Sequence, residues 1–335
     1  MNTTDTHKNN QLVDRFGRAI EYVRLSVTDQ CDLRCNYCMP KGYNDFEEPD
    51  NWLRFNEIEQ IMRVFAKLGT RRVRITGGEP LVRKNVTDLI TRLNRIPEIE
   101  DLSLSTNATR LNKLATPLAQ SGIARINVSL DTLRADRFKA ITQGKLQKVL
   151  DGLMTANAAG LQPIKINMVV MKDVNDDEVE DMVEFCIAHG FTLRFIETMP
   201  VGASGRDANV DHYVDLQTIK ARLAEKYKLL PGVMPGGGPA RYYQIAGTDL
   251  KLGFITPISQ HFCETCNRVR LSTDGTLYLC LGQDHAYPLR DIVRAGISDD
   301  ELAQHIRQAI EIKPERHEFN EKPEQIVRFM SKTGG

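Results

Sequence analysis

The first residues of this chain whose types and spacing could do chemistry are three cysteines in one short stretch. Cys31, Cys35 and Cys38 form a C-x3-C-x2-C motif directly after an apolar segment. Thiolates this close in sequence converge on one point, and soft sulfur ligands select iron–sulfur clusters, zinc or cuprous copper. A structural zinc site is closed by four ligands, whereas three cysteines on a [4Fe–4S] cluster leave one iron open. The count of three therefore favours a reactive cluster, and a zinc site with a fourth ligand from elsewhere is the alternative.

A second cysteine group lies near the other end of the chain. Cys263, Cys266 and Cys280 form a C-x2-C-x13-C arrangement, and zinc is a stronger competitor here because zinc ribbons begin in this way. Again only three cysteines are present. The seventh, Cys186, lies on an apolar helical stripe and is predicted to be a buried core residue.

Cationic side chains accompany the second cysteine group. Arg268 and Arg270 alternate with apolar residues, so both point to one face of a predicted strand. Arg24, Arg74 and Lys165 occupy the polar face of other predicted strands. Several inward cations repel one another unless a polyanion enters, and arginine binds phosphate oxygens through two parallel hydrogen bonds. The pattern predicts a triphosphate as ligand, whereas a solvated charged strand would explain the arginine pair alone.

A glycine pair follows the second predicted strand, in the tetrapeptide from Gly77 to Pro80. Paired glycines let a ligand approach the backbone closely. Glu79 is predicted to contact the ammonium end of an amino acid. Such tetrapeptides also occur in ordinary turns, but this one stands at the carboxyl end of a strand, where barrel enzymes place their active sites.

The elements that must position these groups alternate along the chain. Apolar and polar residues alternate in the predicted strands, and amphipathic helices lie between them. The predicted strands are 21–28, 72–76, 101–105, 125–131, 163–170 and 193–197. The predicted helices include 56–68, 86–94, 112–120 and 177–189. Parallel sheets are normally apolar on both faces, so the polar face of these strands is interpreted as the lining of a cavity. We therefore predict an α/β fold with an incomplete (β/α)6 TIM-like barrel.

Length and composition set further limits. The 335 residues are 41% hydrophobic and 26% charged, with a formal net charge of zero. We expect no nucleic-acid partner, no membrane segment, no signal peptide and a cytoplasmic location. The predicted organisation is a flexible N-terminal tail over 1–14, a barrel over 15–230, and a C-terminal region over 231–335 with the second cysteine group and a Gly-Gly end. Gly236–Pro239 does not match a phosphate-binding loop and is interpreted as a linker.

The motifs together resemble one known family. The first cysteine motif, with the aromatic residue Tyr37 directly before its third cysteine, resembles that of radical S-adenosylmethionine (SAM) enzymes. Nearly the whole chain resembles the MoaA-type GTP 3′,8-cyclases of molybdenum-cofactor biosynthesis. The resemblance rests on CDLRCNYC (31–38), RITGGEP (74–80), NVSLD (127–131), RFIE (194–197), CETCNRVR (263–270) and the terminal GG (334–335).

This resemblance implies two [4Fe–4S] clusters, SAM as cofactor and GTP as substrate. The residues that it assigns are Cys31, Cys35 and Cys38 for the first cluster; Cys263, Cys266 and Cys280 for the second; Tyr37, Gly78, Ser129 and Met199 for SAM; Arg24, Arg74, Ser105, Lys165, Arg268, Val269 and Arg270 for GTP; and Arg268, Arg270, Gly334 and Gly335 for catalysis. A 5′-deoxyadenosyl radical would abstract hydrogen from ribose C3′, and C3′ would bond to guanine C8, giving 3′,8-cyclo-7,8-dihydro-GTP. The implied partners are a reductant protein and a downstream pyranopterin-forming enzyme, and a homodimer is compatible with the likeness.

One position departs from the family pattern. Ala108 ends Ser-Thr-Asn-Ala where family members often have Thr-Thr-Asn-Gly, which questions the following turn rather than the chemistry. Two other functions are weighed as alternatives: a radical SAM enzyme of another branch that acts on a peptide, and a non-catalytic zinc module.

Overall fold

The computed structural model describes residues 11–123, 125–234 and 237–334, and a twelve-stranded sheet forms its centre. The strands are β1 (Tyr22–Ser26), β2 (Arg72–Thr76), β3 (Asp101–Thr106), β4 (Arg125–Ser129), β5 (Ile164–Val169), β6 (Thr192–Ile196), β7 (Leu229–Gly232), β8 (Arg241–Ile245), β9 (Lys251–Ile255), β10 (Arg268–Leu271), β11 (Thr276–Tyr278) and β12 (Ala286–Pro288). The helices are α1 (Phe55–Lys67), α2 (Val86–Asn94), α3 (Leu111–Ser121), α4 (Ala135–Thr142), α5 (Leu146–Ala158), α6 (Val179–His189), α7 (Gly202–His212), α8 (Leu216–Lys226), α9 (Arg290–Arg294), α10 (Asp299–Glu311) and α11 (Met330–Thr333).

Strands β1 to β6 lie in sequence order and pair in parallel, with one or two helices after each of β1 to β5. The predicted α/β fold is therefore confirmed. On one side β9 pairs in parallel with β6, and β8 and β7 follow in antiparallel order. On the other side β10 pairs in parallel with β1, and β11 and β12 extend the sheet. Segments from the C-terminal third thus flank the six-stranded unit on both sides.

The apolar face of the predicted strands is the hydrophobic core, as the alternation indicated. The side chains of this face are at most 5% exposed: Val23, Leu25, Val73, Ile75, Leu102, Leu104, Ile126, Val128, Ile164, Ile166 and Met168. Their partners are the helices; in α1, for example, Ile58, Ile61, Met62 and Phe65 are buried along one stripe. The opposite, polar face is free to line an interior space. Cys186 is fully buried in α6, as predicted.

The pairing of β10 with β1 joins residues that are far apart in sequence. In register, Arg270 lies opposite Arg24, and Arg24 lies opposite Arg74 on β2. Like charges that face each other across strands destabilise a sheet. Three guanidiniums in one cross-strand row therefore need an anion or a separate stabilising contact.

The expectation of no membrane segment can be compared with the helices. No helix within the described ranges is long and apolar enough to span a bilayer.

The turn after β3 contains Ala108 with φ of +65°, so alanine takes the left-handed conformation that glycine adopts without strain. Residues 1–10 of the predicted tail, Gly236 of the predicted linker and Gly335 lie outside the described residues.

Candidate active site

The first cysteine triad, Cys31, Cys35 and Cys38, lies in the loop after β1. The loop is held to the end of α4, because the backbone N–H groups of Arg34 and Asn36 donate to the carbonyls of Thr142 and Ile141, at 2.9 and 3.0 Å. Within the loop, Cys38 N–H donates to the Cys35 carbonyl at 3.0 Å. The backbone thereby turns all three thiols toward one cavity.

The sulfur atoms of this triad accept N–H groups from several elements. Leu33 N–H lies 3.4 Å from Cys31 Sγ, and Asn107 Nδ2 lies 3.8 Å from the same atom. The backbone N–H of Ser331, in the C-terminal tail, donates to Cys38. N–H···S bonds of this kind tune the potential of iron–sulfur clusters, so the donor set suits the group that the sequence predicts.

Burial governs the protonation of these thiols. It raises the pKa of Cys31 and of Cys38 to about 12 and that of Cys35 well above its ordinary value. Without a metal all three are neutral thiols at pH 7. A bound cation is what converts such groups into thiolates.

A cavity of about 180 Å³ adjoins the first triad. All four residues predicted to contact SAM line it: Tyr37, Gly78, Ser129 and Met199. The Tyr37 hydroxyl donates to Asp131 Oδ2 at 2.7 Å, and burial raises the pKa of Asp131 to about 6. Ser105, predicted to contact GTP, lines this first cavity rather than the second one described below.

The glycine pair after β2 is required by the chain's own backbone. A Cβ on Gly77 would lie 2.2 Å from the Thr28 carbonyl oxygen, and one on Gly78 would lie 2.4 Å from that of Gln30. The two loops that carry the first triad and the glycines therefore pack in direct contact. Gly77 and Gly78 also line the cavity.

Glu79 has a different role from the predicted one. Its carboxylate is fully buried and accepts the Asn107 N–H at 2.6 Å, the Thr106 hydroxyl at 2.8 Å and the Leu81 N–H at 3.1 Å. Burial raises its pKa to about 7. Glu79 joins the loops after β2 and β3 and is not among the residues that line the cavity.

The second triad, Cys263, Cys266 and Cys280, lines a second cavity of about 140 Å³. Each thiol accepts one backbone N–H, from His317, Arg268 and Gly282 respectively. Like the first triad, this donor set suits a thiolate-bound cluster. No three His, Cys, Asp or Glu side chains in the described ranges are placed to hold a single metal ion, so the ligands of both clusters stay predictions.

Five guanidiniums line the second cavity, and no carboxylate stands among its described lining residues. They belong to Arg24, Arg74, Arg194, Arg268 and Arg270. Burial lowers the pKa of Arg24 and Arg194 to about 10 and that of Arg270 well below its ordinary value. The cavity wall therefore carries several positive charges, and no carboxylate among its described lining residues balances them.

Three of these arginines have buried donors without partners. The Nε atoms of Arg24, Arg194 and Arg268 make no hydrogen bond in the described part of the chain. Leaving a buried charged donor unsatisfied is costly. A bound anion would satisfy these donors.

The positions of two cations at this wall differ from the prediction. Lys165 is buried next to the cavity, with Nζ 5.9 Å from the centre of the Tyr242 ring, and is not a lining residue. Arg194, on β6, lines the cavity and is not among the predicted site residues, because the sequence left the face of the sixth strand unassigned. In the structure Arg194 lies opposite Asn167 on β5, and no local pattern in the sequence gives that pairing.

The C-terminal tail enters this interior. Arg270 donates through Nη1 to the carbonyl of Gly334 and, at 3.4 Å, to that of Thr333. Arg328 anchors the base of the tail, since its Nη2 donates to the carbonyls of Cys280, Leu281 and Gln283 at 2.8 to 3.0 Å. The described part of the Gly-Gly end therefore lies next to the predicted substrate arginines, and Arg328 is a contact that sequence reasoning missed.

The two cavities are neighbours. Asn167, Ile196 and Met199 line both of them. A ligand beside the first triad and a ligand beside the second would therefore meet across three shared side chains. This arrangement suits a reaction between two bound molecules.

Comparisons with known proteins identify the family of this chain. The profile of the Radical SAM superfamily matches residues 25–186, and that of Molybdenum Cofactor Synthesis C matches residues 191–319. A GTP 3′,8-cyclase of Ectopseudomonas mendocina (strain ymp) is 45% identical over 329 residues, which are 97% of this chain and 99% of the relative. The chain belongs to the GTP 3′,8-cyclase family.

A second relative supports the family, and a solved structure supports the fold. The GTP 3′,8-cyclase of Hydrogenovibrio crunogenus is 46% identical over 330 residues, with 97% of this chain and 99% of the relative covered. The crystal structure of Streptococcus suis SuiB bound to S-adenosylmethionine has a TM-score of 0.63 at 15% identity, covering 87% of this chain and 68% of that one. At that identity the likeness shows the fold alone. Family membership favours neither the peptide-modifying alternative nor the zinc module.

Proposed function

We propose that this chain is a radical SAM GTP 3′,8-cyclase. It converts GTP into (8S)-3′,8-cyclo-7,8-dihydroguanosine 5′-triphosphate, the first step of molybdenum-cofactor biosynthesis. The observation that carries the proposal is the second cavity, whose described lining contains five guanidiniums and no carboxylate, beside a cysteine triad and next to the first cavity. The full-length likeness to GTP 3′,8-cyclases supports it.

Two cofactors belong to this proposal. Cys31, Cys35 and Cys38 would hold one [4Fe–4S] cluster, and Cys263, Cys266 and Cys280 a second. When bound, the first cluster and SAM would supply the radical chemistry that begins at ribose C3′. Tyr37, Gly78, Ser129 and Met199 line the space for SAM.

The chain's own residues bind and orient the substrate. Arg24, Arg74, Arg268 and Arg270 would hold the triphosphate, with Val269 beside them in the same wall. Lys165 and Ser105, the other two residues assigned to GTP, are not among the described lining residues of the second cavity, and Ser105 lines the first. Arg270 also holds the tail through the Gly334 carbonyl, so substrate and tail share one guanidinium.

Other parts of the proposal concern organisation and partners. We assign a radical SAM barrel of six strands to 15–230 and a substrate and second-cluster region to 231–335. A reductant protein, a downstream pyranopterin-forming enzyme and a homodimer are expected by analogy with the family. Anaerobic reconstitution with iron and sulfide, followed by SAM, reductant and GTP, tests the activity. We expect 5′-deoxyadenosine and the cyclised nucleotide in equal amounts; SAM cleavage without a GTP product would contradict the assignment.

Removing one inward guanidinium should weaken GTP binding selectively. Arg268→Met deletes charge-assisted hydrogen bonds in a secluded site, which are worth about 2 kcal/mol, or roughly a thirtyfold loss of affinity. Calorimetry on the protein reconstituted with both clusters should show this loss of affinity for GTP and little change of affinity for SAM. Arg72→Met is the matched control, because Arg72 lies on β2 but pairs with Glu21 at 3.0 Å outside the cavity lining. An equal loss of affinity for GTP and SAM in Arg268→Met would indicate a structural role.

GTP binding should also depend on pH through Lys165. Burial, and next the charges of Arg194, Arg125 and Arg74, lower the pKa of Lys165 to about 7. Above pH 7 the free protein holds a neutral amine, and an incoming triphosphate raises the pKa and draws a proton from solution. Affinity should fall by up to about tenfold per pH unit between pH 7.5 and 9.

Calorimetry in two buffers of different ionisation enthalpy measures this proton uptake. In Lys165→Met we expect weaker binding at pH 7.5 and a smaller dependence on pH. The same proton uptake in the wild-type chain and in Lys165→Met would exclude Lys165 as its source.

A further inference from the structure

One buried cation takes no part in the proposed chemistry so far. Lys313 follows α10, and its side chain is 1% exposed. Its Nζ donates to the Leu279 carbonyl at 2.5 Å and to the Arg268 carbonyl at 3.2 Å, and lies 3.9 Å from Cys266 Sγ. These contacts place one ammonium group directly behind the second triad.

The position of this ammonium needs a counter-charge. A buried ammonium costs several kcal/mol unless an anion pairs with it. Among the described residues, the recorded partners of Lys313 Nζ are the two carbonyls and one sulfur, with no carboxylate. The second triad is therefore the available source of negative charge.

Lys313 also connects the two arms of the triad, which are the segment with Cys263 and Cys266 and the segment with Cys280. Leu279 directly precedes Cys280, and Arg268 stands two residues after Cys266. One ammonium thus holds a carbonyl from each arm. Since Arg268 is a proposed substrate contact, the same group fixes the backbone from which that guanidinium extends.

We propose that Lys313 is the built-in counter-charge of the second cysteine triad, where it stabilises the thiolates and raises the reduction potential of the cluster that they hold. The proposal rests on the second cluster of the proposed function. A fixed positive charge close to a cluster favours the reduced state, which carries one more negative charge. Lys313 is a positioning residue in this scheme, since it acts through the cysteines and the Arg268 backbone.

The test isolates the second cluster. In a chain with Cys31, Cys35 and Cys38 replaced by alanine, iron and acid-labile sulfide should correspond to one cluster. Lys313→Gln then removes the charge but keeps a donor for the two carbonyls. A redox titration followed by electron paramagnetic resonance should show the reduced-to-oxidised ratio at a given potential at least about tenfold lower, which is a shift of 59 mV or more for one electron.

Lys322→Met is the matched control, because Lys322 lies in the same C-terminal segment and its half-exposed side chain forms an ion pair with Glu318 at 3.7 Å. It should leave the potential unchanged. An unchanged potential in Lys313→Gln would overturn the proposal. Absence of iron and sulfide from the triple-alanine parent would instead refute the second cluster, and with it the proposed function.

A second measurement separates charge from packing. The metal-free chain lacks the negative charge of the cluster that Lys313 would balance, so Lys313→Gln should leave the melting temperature of that form unchanged or raise it. In the loaded chain the same substitution should lower the melting temperature. Equal destabilisation of both forms, or failure of the metal-free variant to fold, would show that Lys313 is a structural cap for the two carbonyls and would overturn the proposal.

Discussion

Cys35→Ser should abolish SAM cleavage and leave about half of the iron in the protein. The substitution removes one of three ligands from the first triad, and a cubane cluster with two remaining thiolates is not retained. The second triad lies in a separate cavity and shares no cysteine with the first. Its cluster should therefore remain, and GTP should still bind. Iron and sulfide analysis, calorimetry with GTP, and chromatography for 5′-deoxyadenosine are the measurements.

Two variants serve as controls for this result. Cys186→Ala alters the seventh cysteine, which is buried in α6 away from both triads, so it should keep the full iron content and cost only about 1 kcal/mol of stability. Cys266→Ser is the reciprocal change and should lose the second cluster while keeping the first. Formation of 5′-deoxyadenosine by Cys35→Ser would exclude the first triad as the SAM site.

Replacing the two terminal glycines by alanine should slow cyclisation by a factor of at least about ten to a hundred, while both clusters and GTP affinity are nearly retained. At Gly334 the backbone has φ of +73°, and a Cβ would lie 2.2 Å from Thr76 Cγ2. The tail must therefore move, and Arg270 loses the Gly334 carbonyl. A charge-assisted bond of this kind is worth about 1.5–3 kcal/mol, so the loss alone slows turnover roughly ten- to hundredfold.

The control isolates the close contact from backbone strain. Gly296 has φ of +78° in a turn after α9, and nothing lies within 4 Å of a Cβ built there. Gly296→Ala should therefore lose some stability but keep its cyclisation rate. Chromatography for the cyclised nucleotide and calorimetry for GTP separate turnover from binding. Full cyclisation by a chain truncated after Thr333 would show that the terminal glycines have no part in turnover.

Local patterns in the sequence were sufficient for the fold class and for assigning the candidate residues to strands and loops. Alternation with a period of two identified the strands and their polar face, because successive side chains in a strand point to opposite sides. The apolar stripe of α1 identified its buried face for the equivalent reason. Cysteine spacing identified both triads, since ligands of one centre that are close in sequence need only a short loop between them. Each of these signals lies within eighteen residues of sequence, a range that one element or one loop can span.

Contacts between distant segments were decided only by the tertiary structure. The pairing of β10 with β1 puts Arg270 opposite Arg24, although no local pattern relates the two strands. The same holds for Lys313 behind Cys266 and for Arg328 beneath the Cys280 loop. Glu79 was predicted to face a ligand, but it is buried against residues 106 and 107 of the next loop. The chemistry of these side chains is visible in the sequence, whereas their partners depend on which strands and loops become neighbours when the sheet assembles.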